Sequence, residues 1–260
     1  MTDHGVVSAD GTYIRAACSG TGPPLVLLHS AAGDASSFRH LEPFLSRRFT
    51  VYSVDRRGRG GSGDSPGEYR IEQEFADAAA VLDSLGTAAD LLGHSYGATV
   101  ALGAAPLARN LRRLILYEPA PGFPSVPPEL LAKLDALLAA GDREALLSLV
   151  MLEIAGFSPE KLEQMRATPL WPLRVAAAHT IPRELHAEEQ HRPSPAAFST
   201  LSVPTLLVLG AETPPWSRQG ADVVRALLPG CHCVTLEGQG HVAHVTAPAR
   251  LAEEITRFLS

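Results

Sequence analysis

The sequence predicts an α/β protein: a mostly parallel sheet of eight strands flanked by helices, with a helical segment inserted late in the chain. Three observations predict it. Short, continuously apolar runs recur, and most are followed by a stretch of helical periodicity, which is what a parallel sheet covered on both faces requires. The first two runs differ, because they alternate in polarity around Asp10-Gly11, a pair suited to the tight turn of an antiparallel hairpin. Between about 121 and 202 the rhythm stops: prolines punctuate the chain and no strand pattern is present.

Taken in order, the hairpin runs are 5–9 and 12–18. LVLLH (25–29), a helix near 35–46 and TVYSVD (50–55) follow. A helix over about 69–85 leads to ADLLG (89–93), a small-residue helix from 95 to about 108, and RLILYE (113–118). The interrupting stretch carries amphipathic helical patterns such as PPELLAKLDALLAAG and REALLSLVMLEIAG. Sheet patterning resumes with VPTLLVLG (203–210), a helix near 216–228, CHCVTLEG (231–238) and a closing helix over 246–259. The expected organisation is a core formed by 1–120 and 203–260, with 121–202 as a helical cap.

The chain has 260 residues, 45% of them hydrophobic, enough for a sizeable core with an ordinary polar surface. Its 28 acidic and 22 basic residues give a net charge of -6, and the arginines cluster only in short pairs, which argues against nucleic acid as a partner. No run approaches the roughly 18 apolar residues of a membrane span, and MTDHGVVSADG lacks the apolar stretch of a signal peptide. Three cysteines are too few and odd in number for a disulfide framework. The expectation is a cytoplasmic protein whose partner is a small-molecule substrate, with no membrane contact and a homodimer left open.

Gly93-His94-Ser95-Tyr96-Gly97 has the G-x-S-x-G form of a nucleophile elbow and stands between an apolar strand and a helix. Such an elbow holds the serine in a strained turn with its hydroxyl above the sheet, and the glycines let strand and helix approach. A serine hydroxyl needs a base. His241, in the loop Gly238-Gln239-Gly240-His241 after the last strand, is placed to reach back over the sheet's carboxyl edge.

In this order of strand, G-H-S-Y-G, helical insert, strand, G-H and helix, the chain resembles the α/β-hydrolase superfamily over essentially its whole length. Asp55-Arg56-Arg57-Gly58-Arg59-Gly60-Gly61-Ser62 is similar to that family's D-x-R-G-x-G-x-S loop. The resemblance implies the α/β-hydrolase fold, a triad in the order serine, acid, histidine, and a cap over the site. His29-Ser30-Ala31-Ala32-Gly33 occupies the place of the family's H-G-x-x-G loop, with Ser30 where glycine is usual. By position, the Ala31 and Tyr96 N–H groups are the expected oxyanion donors, with Ser30 beside them.

The acid is ambiguous. The family's common position after strand 203–210 is Thr213 here, which cannot serve, and Glu212 is its neighbour. Glu118 closes strand 113–118, where some members of the family place a glutamate, and Pro119 favours an extended conformation before it. Glu118 is preferred and Glu212 is the alternative.

Two other patterns are set aside. Gly58-Arg59-Gly60-Gly61-Ser62-Gly63 matches G-x-G-x-x-G but follows a later strand and is broken by Asp64-Ser65-Pro66, so no dinucleotide site is expected. Cys231, Cys233, His241 and His244 lack the spacing of a structural zinc site, and the cysteines read as small buried hydrophobes. Neither metal nor cofactor is expected. The function so read is a serine hydrolase with catalytic Ser95, Glu118 and His241, acting on a small hydrophobic ester or lactone through an acyl-enzyme. Carbon–carbon bond hydrolysis, acyl transfer, cyclisation and a non-catalytic binding role are the alternatives.

Overall fold

A computed structural model describes residues 2–65, 67–119, 126–191, 195–198 and 201–260. Eight strands form one sheet: β1 (Thr2–Val7), β2 (Tyr13–Ser19), β3 (Pro24–Leu28), β4 (Thr50–Val54), β5 (Ala89–His94), β6 (Leu111–Tyr117), β7 (Thr205–Gly210) and β8 (His232–Leu236). Their order is β1-β2-β4-β3-β5-β6-β7-β8. β1–β2 and β2–β4 pair antiparallel and all other neighbours pair parallel, as the alternating and the continuously apolar runs respectively predict.

Side-chain alternation along the strands sorts the core into two layers. Val26, Leu28, Leu91, Leu114, Leu116 and Leu207 point to one face, where helices α1 (Ile71–Ser84), α2 (Tyr96–Ala104) and α8 (Pro215–Leu227) cover them. Leu25, Leu27, Leu92, Ile115, Leu206 and Val208 point to the other, beneath α9 (Pro248–Leu259) and the segment around Phe38–Leu45. Each of these side chains is essentially inaccessible, and burial of this completeness contributes roughly 1.5–3 kcal/mol apiece.

Between β6 and β7 the described residues contain helices only: α3 (Pro128–Ala139), α4 (Arg143–Leu149), α5 (Pro159–Arg166), α6 (Trp171–Ala177), α7 (Ile181–Gln190) and short turns. They enclose a third apolar cluster of their own, around Leu134, Leu146, Leu147, Trp171 and Ile181. The start of the expected cap, 121, lies outside the described residues.

Two elements depart from expectation. The helix expected near 35–46 is a 3-10 turn (Ala35–Phe38) capped by Asp34, followed by a separate turn (Glu42–Leu45). Pro43 has no N–H to donate, which prevents one continuous helix. β1 begins at Thr2 rather than at 5, because its polar residues are held by partners that no apolar pattern announces, Asp3 on Arg15 at 2.6 Å and His4 edge-on to Tyr52.

β4 lies on one side of β3 and β5 on the other, so the loops after β3 and β5 diverge and leave a crevice at the carboxyl edge. There α2 crosses so close to β3 that a Cβ on Gly97 would lie 2.3 Å from the Leu28 carbonyl oxygen. Gly97→Ala is therefore expected to destabilise the protein by about 1–3 kcal/mol in urea unfolding, as overpacking does. Gly230→Ala, where a Cβ meets nothing within 4 Å, is expected to stay within about 0.5 kcal/mol. Equal losses at the two positions would contradict the close approach.

Candidate active site

β5 ends at His94 and α2 begins at Tyr96, leaving Ser95 alone in the turn with φ 56° and ψ -122°. The left-handed φ is costly for a residue with a Cβ and is held by its surroundings. The Ser95 N–H donates to the Tyr117 carbonyl at 3.0 Å, and the Ser95 carbonyl accepts from the Ala98 N–H at 2.8 Å. Glycine is required on both sides, since a Cβ on Gly93 would lie 2.1 Å from the Gly97 oxygen.

His241 sits in the loop after β8, and its Nδ1 lies 3.1 Å from Glu118 Oε2. Glu118 is wholly buried one residue past β6. Its carboxylate also accepts from the Gly210 N–H at 2.6 Å, from Ser217 Oγ at 2.7 Å and from Thr213 Oγ1. Burial pushes this carboxyl up, but the His241 hydrogen bond and charge, with the Thr213 and Gly210 donors, outweigh burial and hold it below the usual range. An anionic Glu118 accepts the proton on His241 Nδ1, which leaves Nε2 as the nitrogen with a free lone pair.

In space one of the two candidate acids meets the imidazole: Glu118 touches His241, while the Glu212 side chain is exposed. Thr213, in the slot where the family usually carries its acid, points its hydroxyl at Glu118 instead. One expectation about this residue fails. Glu118 is left-handed, with φ 54°, not extended as Pro119 favours, and the four hydrogen bonds to its side chain hold it there.

The imidazole is pinned from behind as well. The His241 carbonyl accepts from Tyr117 Oη at 3.0 Å and from His94 Nε2 at 2.9 Å, and Tyr117 Oη accepts from the Ala243 N–H at 2.6 Å. The Trp216 ring meets the His241 ring edge-on at 4.8 Å between centroids. His94 lies between the His241 and His244 rings, 4.8 and 4.5 Å away.

The loop after β3 is turned so that its carbonyls are occupied. His29 Nδ1 donates to the Ser30 carbonyl at 2.8 Å while its Nε2 accepts from the Arg56 N–H at 3.1 Å, which is possible only for the neutral ring. Burial first, then the charges of Arg56 and Arg59, keep its pKa far below the ordinary histidine value. Arg59 donates to the Ala31 carbonyl at 2.5 Å. The Ala31 N–H has no acceptor among the described residues, and Tyr96, as the first residue of α2, has none within its helix.

A cavity of about 150 Å³ brings these groups together: Ser30, Ala31, Ser95, Tyr96, Trp216 and His241 line it from the sheet side. Val150, Met151, Ile154, Phe157, Ile181 and Leu185 line it from the inserted helices. Val150–Ile154 is a widened π-type turn, which pushes these residues off the regular helix line. The insert is held to the core by buried charge: Glu184 of α7 meets Arg56 at 2.9 Å and Arg59 at 2.7 Å, and Arg56 meets Glu74 at 2.8 Å.

The glycine-rich 58–63 segment is thus a turn that aims arginines inward. Gly58 and Gly60 have φ of 77° and 53°, and the next helix after this segment begins only at Ile71. The cysteines do not fill the buried role expected of them: Cys233 is exposed and Cys231 half-buried. Among the described residues no three His, Cys, Asp or Glu side chains form a group suited to a metal ion. No described helix is long and apolar enough to cross a membrane.

Residues 25–254 match the model of the alpha/beta hydrolase family. The chain belongs to that family. It is 27% identical over 254 residues to the pimeloyl-[acyl-carrier protein] methyl ester esterase of Aeromonas hydrophila, covering 92% of this chain and 96% of that one. It is 32% identical over 103 residues to the uncharacterised hydrolase YraK of Bacillus subtilis, a match that spans 38% of either chain. Among solved structures, an alpha/beta hydrolase from Sphaerobacter thermophilus superposes with a TM-score of 0.86 at 38% identity, covering 99% of this chain and 100% of that one. The enol-lactonase of Burkholderia xenovorans shares the fold, with a TM-score of 0.79 at 22% identity over 98% of this chain and 99% of that one.

Within this alpha/beta hydrolase, sequence reasoning missed Tyr117, Thr213, Trp216, Ser217 and His244 as parts of the site. In the sequence Thr213 reads only as unable to act as the acid, and His244 only within a metal pattern that its spacing rules out. His244 is buried, and burial, followed by the charges of His241, Arg174 and Arg39, lowers its pKa to about 3. A ring that stays neutral when folded but titrates near 6.5 when unfolded stabilises the protein above pH 6.5. That stability is lost as pH falls from there towards 3. Replacing His244 by Gln is expected to make the fall of unfolding free energy between pH 6 and pH 4.5 shallower by about 1.4 kcal/mol per pH unit, one proton's worth. Urea titrations across that range would read it, and equal slopes would show that His244 is not held neutral.

Proposed function

We propose that this alpha/beta hydrolase cleaves a small apolar ester or lactone through an acyl-enzyme, with Ser95 as nucleophile, His241 as base and Glu118 as the acid that orients and charge-stabilises the imidazole. One observation carries this reading: the buried Glu118–His241 pair opens onto the cavity that also holds the strained Ser95 elbow. His241 Nε2 takes the Ser95 proton as Oγ attacks the carbonyl, and the same nitrogen then protonates the departing oxygen. Water activated by His241 releases the acid. The Ala31 and Tyr96 N–H groups stabilise the oxyanion of both tetrahedral states, and because backbone groups do this, Ser30 in place of glycine does not remove a donor.

Two further observations support an apolar substrate of modest size. The insert, proposed as a cap, presents aliphatic side chains to the cavity, and an apolar void of roughly 150 Å³ accommodates a benzene-sized molecule. A relative that matches over 92% of this chain is named as a pimeloyl-[acyl-carrier protein] methyl ester esterase, which supports ester cleavage.

A fluorophosphonate probe is expected to add one label per chain to the wild type and none to Ser95→Ala. Folded wild-type protein that takes no label would sink the nucleophilic reading. On an activated ester, Ser95→Ala is expected to lower kcat by roughly 10⁴-fold or more and Glu118→Gln by roughly 10³-fold. Glu212→Gln should stay within about threefold, as for an exposed side chain away from the site. A large loss in Glu212→Gln with none in Glu118→Gln would reverse the assignment of the acid.

A further inference from the structure

The cavity wall is apolar except for a few ionisable side chains, and among the described residues one of these, a cation, carries a charge that no carboxylate meets in a hydrogen bond or ion pair. His94 and His244 are held far below their ordinary pKa by burial and by neighbouring positive charge. Glu188 accepts from Thr99 Oγ1 at 3.0 Å, and burial pushes it up to about 8, which favours its neutral form. Arg174 of α6 remains. It is half-buried, lines the cavity, and makes no hydrogen bond or ion pair with any described residue. By contrast Arg56, Arg57, Arg59 and Arg183 each meet a carboxylate at 2.9 Å or less.

The surroundings of Arg174 deepen the imbalance. Burial disfavours its charge first and the positive charge of Arg39 second, while Asp34 only partly offsets them. One oxygen of the Asp34 carboxylate, Oδ1, is engaged as the cap of its turn, accepting from the Ser36 N–H at 2.8 Å and Ser36 Oγ at 2.5 Å. A guanidinium cannot relieve the strain by losing its proton. Arg174 is half-buried and its nitrogens keep access to water, so an arriving carboxylate would replace part of that hydration, and the planar fork donates to such an anion through two parallel hydrogen bonds. Position also favours a ligand: Arg174 and Ser37 line both the cavity and a shallow surface depression beside Asp34, Leu170 and Leu173. An anion held there keeps part of its hydration while the rest of the molecule enters apolar surroundings.

We infer that Arg174 is the anchor for a carboxylate on the substrate, so that the esters or lactones cleaved here carry a free acid group in addition to the bond that is broken. The inference rests on the hydrolase reading of Ser95 for its kinetic side, but the anion site itself does not.

Both sides are tested together. On monomethyl succinate and methyl butyrate, the ratio of kcat/KM for the acid ester to that for the neutral ester is expected to fall about 10- to 100-fold in Arg174→Gln, the span of one charge-assisted hydrogen-bond pair. The fall should appear mainly in KM, and Arg174→Lys should restore part of the ratio. A ratio unchanged by Arg174→Gln would overturn the proposal, because a purely structural role lowers both substrates alike. Independently of turnover, Ser95→Ala protein is expected to bind succinate or glutarate in calorimetry, more weakly as salt is raised, and to lose that binding when Arg174→Gln is added. Absence of dicarboxylate binding with Arg174 intact would overturn the anion site. Binding that depends on Arg174, in an enzyme that cleaves neither ester, would sink the hydrolase reading and leave the anion site standing.

Discussion

A single buried carboxylate organises the carboxyl edge of the sheet in this alpha/beta hydrolase. Glu118 has no access to water and receives four donors from separate stretches of chain: Gly210 at the end of β7, Thr213 and Ser217 around the start of α8, and His241 beyond β8. A charge this deep is tolerated only when its oxygens are so satisfied, and each donor is thereby tied to the end of β6. Loops that would otherwise be independent are drawn to one point, and the imidazole is aimed by the same contact that keeps the charge tolerable.

Around that anion the structure keeps its other titratable groups neutral or paired. His29 and His94 cannot take up protons at ordinary pH, so they act as fixed hydrogen-bonding pieces, one setting the loop after β3 and the other the carbonyl of His241. The arginines of the 55–62 loop turn inward to Glu74, Asp77 and Glu184, and the contact with Glu184 binds the inserted helices to the sheet through charge as well as apolar packing. Removing either partner of such a pair leaves the other charge stranded, so the position of the insert over the cavity is set firmly. Against this background Arg174 stands out as a cavity-lining cation that no described carboxylate meets in a hydrogen bond or ion pair.

Much of the fold was legible because its signals are local and repeated. Strand runs such as 25–28 and 206–209 are apolar at every position, as a sheet covered on both faces requires, and the G-H-S-Y-G elbow names its own geometry through the two glycines. Where several weak local preferences competed, the sequence misled: Pro43 divided an amphipathic pattern into two turns, and at Glu118 side-chain hydrogen bonds overrode the backbone preference set by Pro119. The polar edge of β1 was under-read for the same reason, since its partners lie on β2 and β4.

By itself the sequence determined the architecture, the strained position of Ser95 and the candidacy of His241, because each depends on residue types within a few positions of one another. The choice between Glu118 and Glu212 needed the tertiary structure, for the two differ not in chemistry but in which one the ends of β6, β7 and β8 carry within reach of the imidazole. The same holds for Thr213, Tyr117, Trp216 and Arg174, which no motif marks. What a hydroxyl, a ring or a guanidinium does is decided by burial and by the partners that long-range contacts supply, and those exist only once the chain has closed around them.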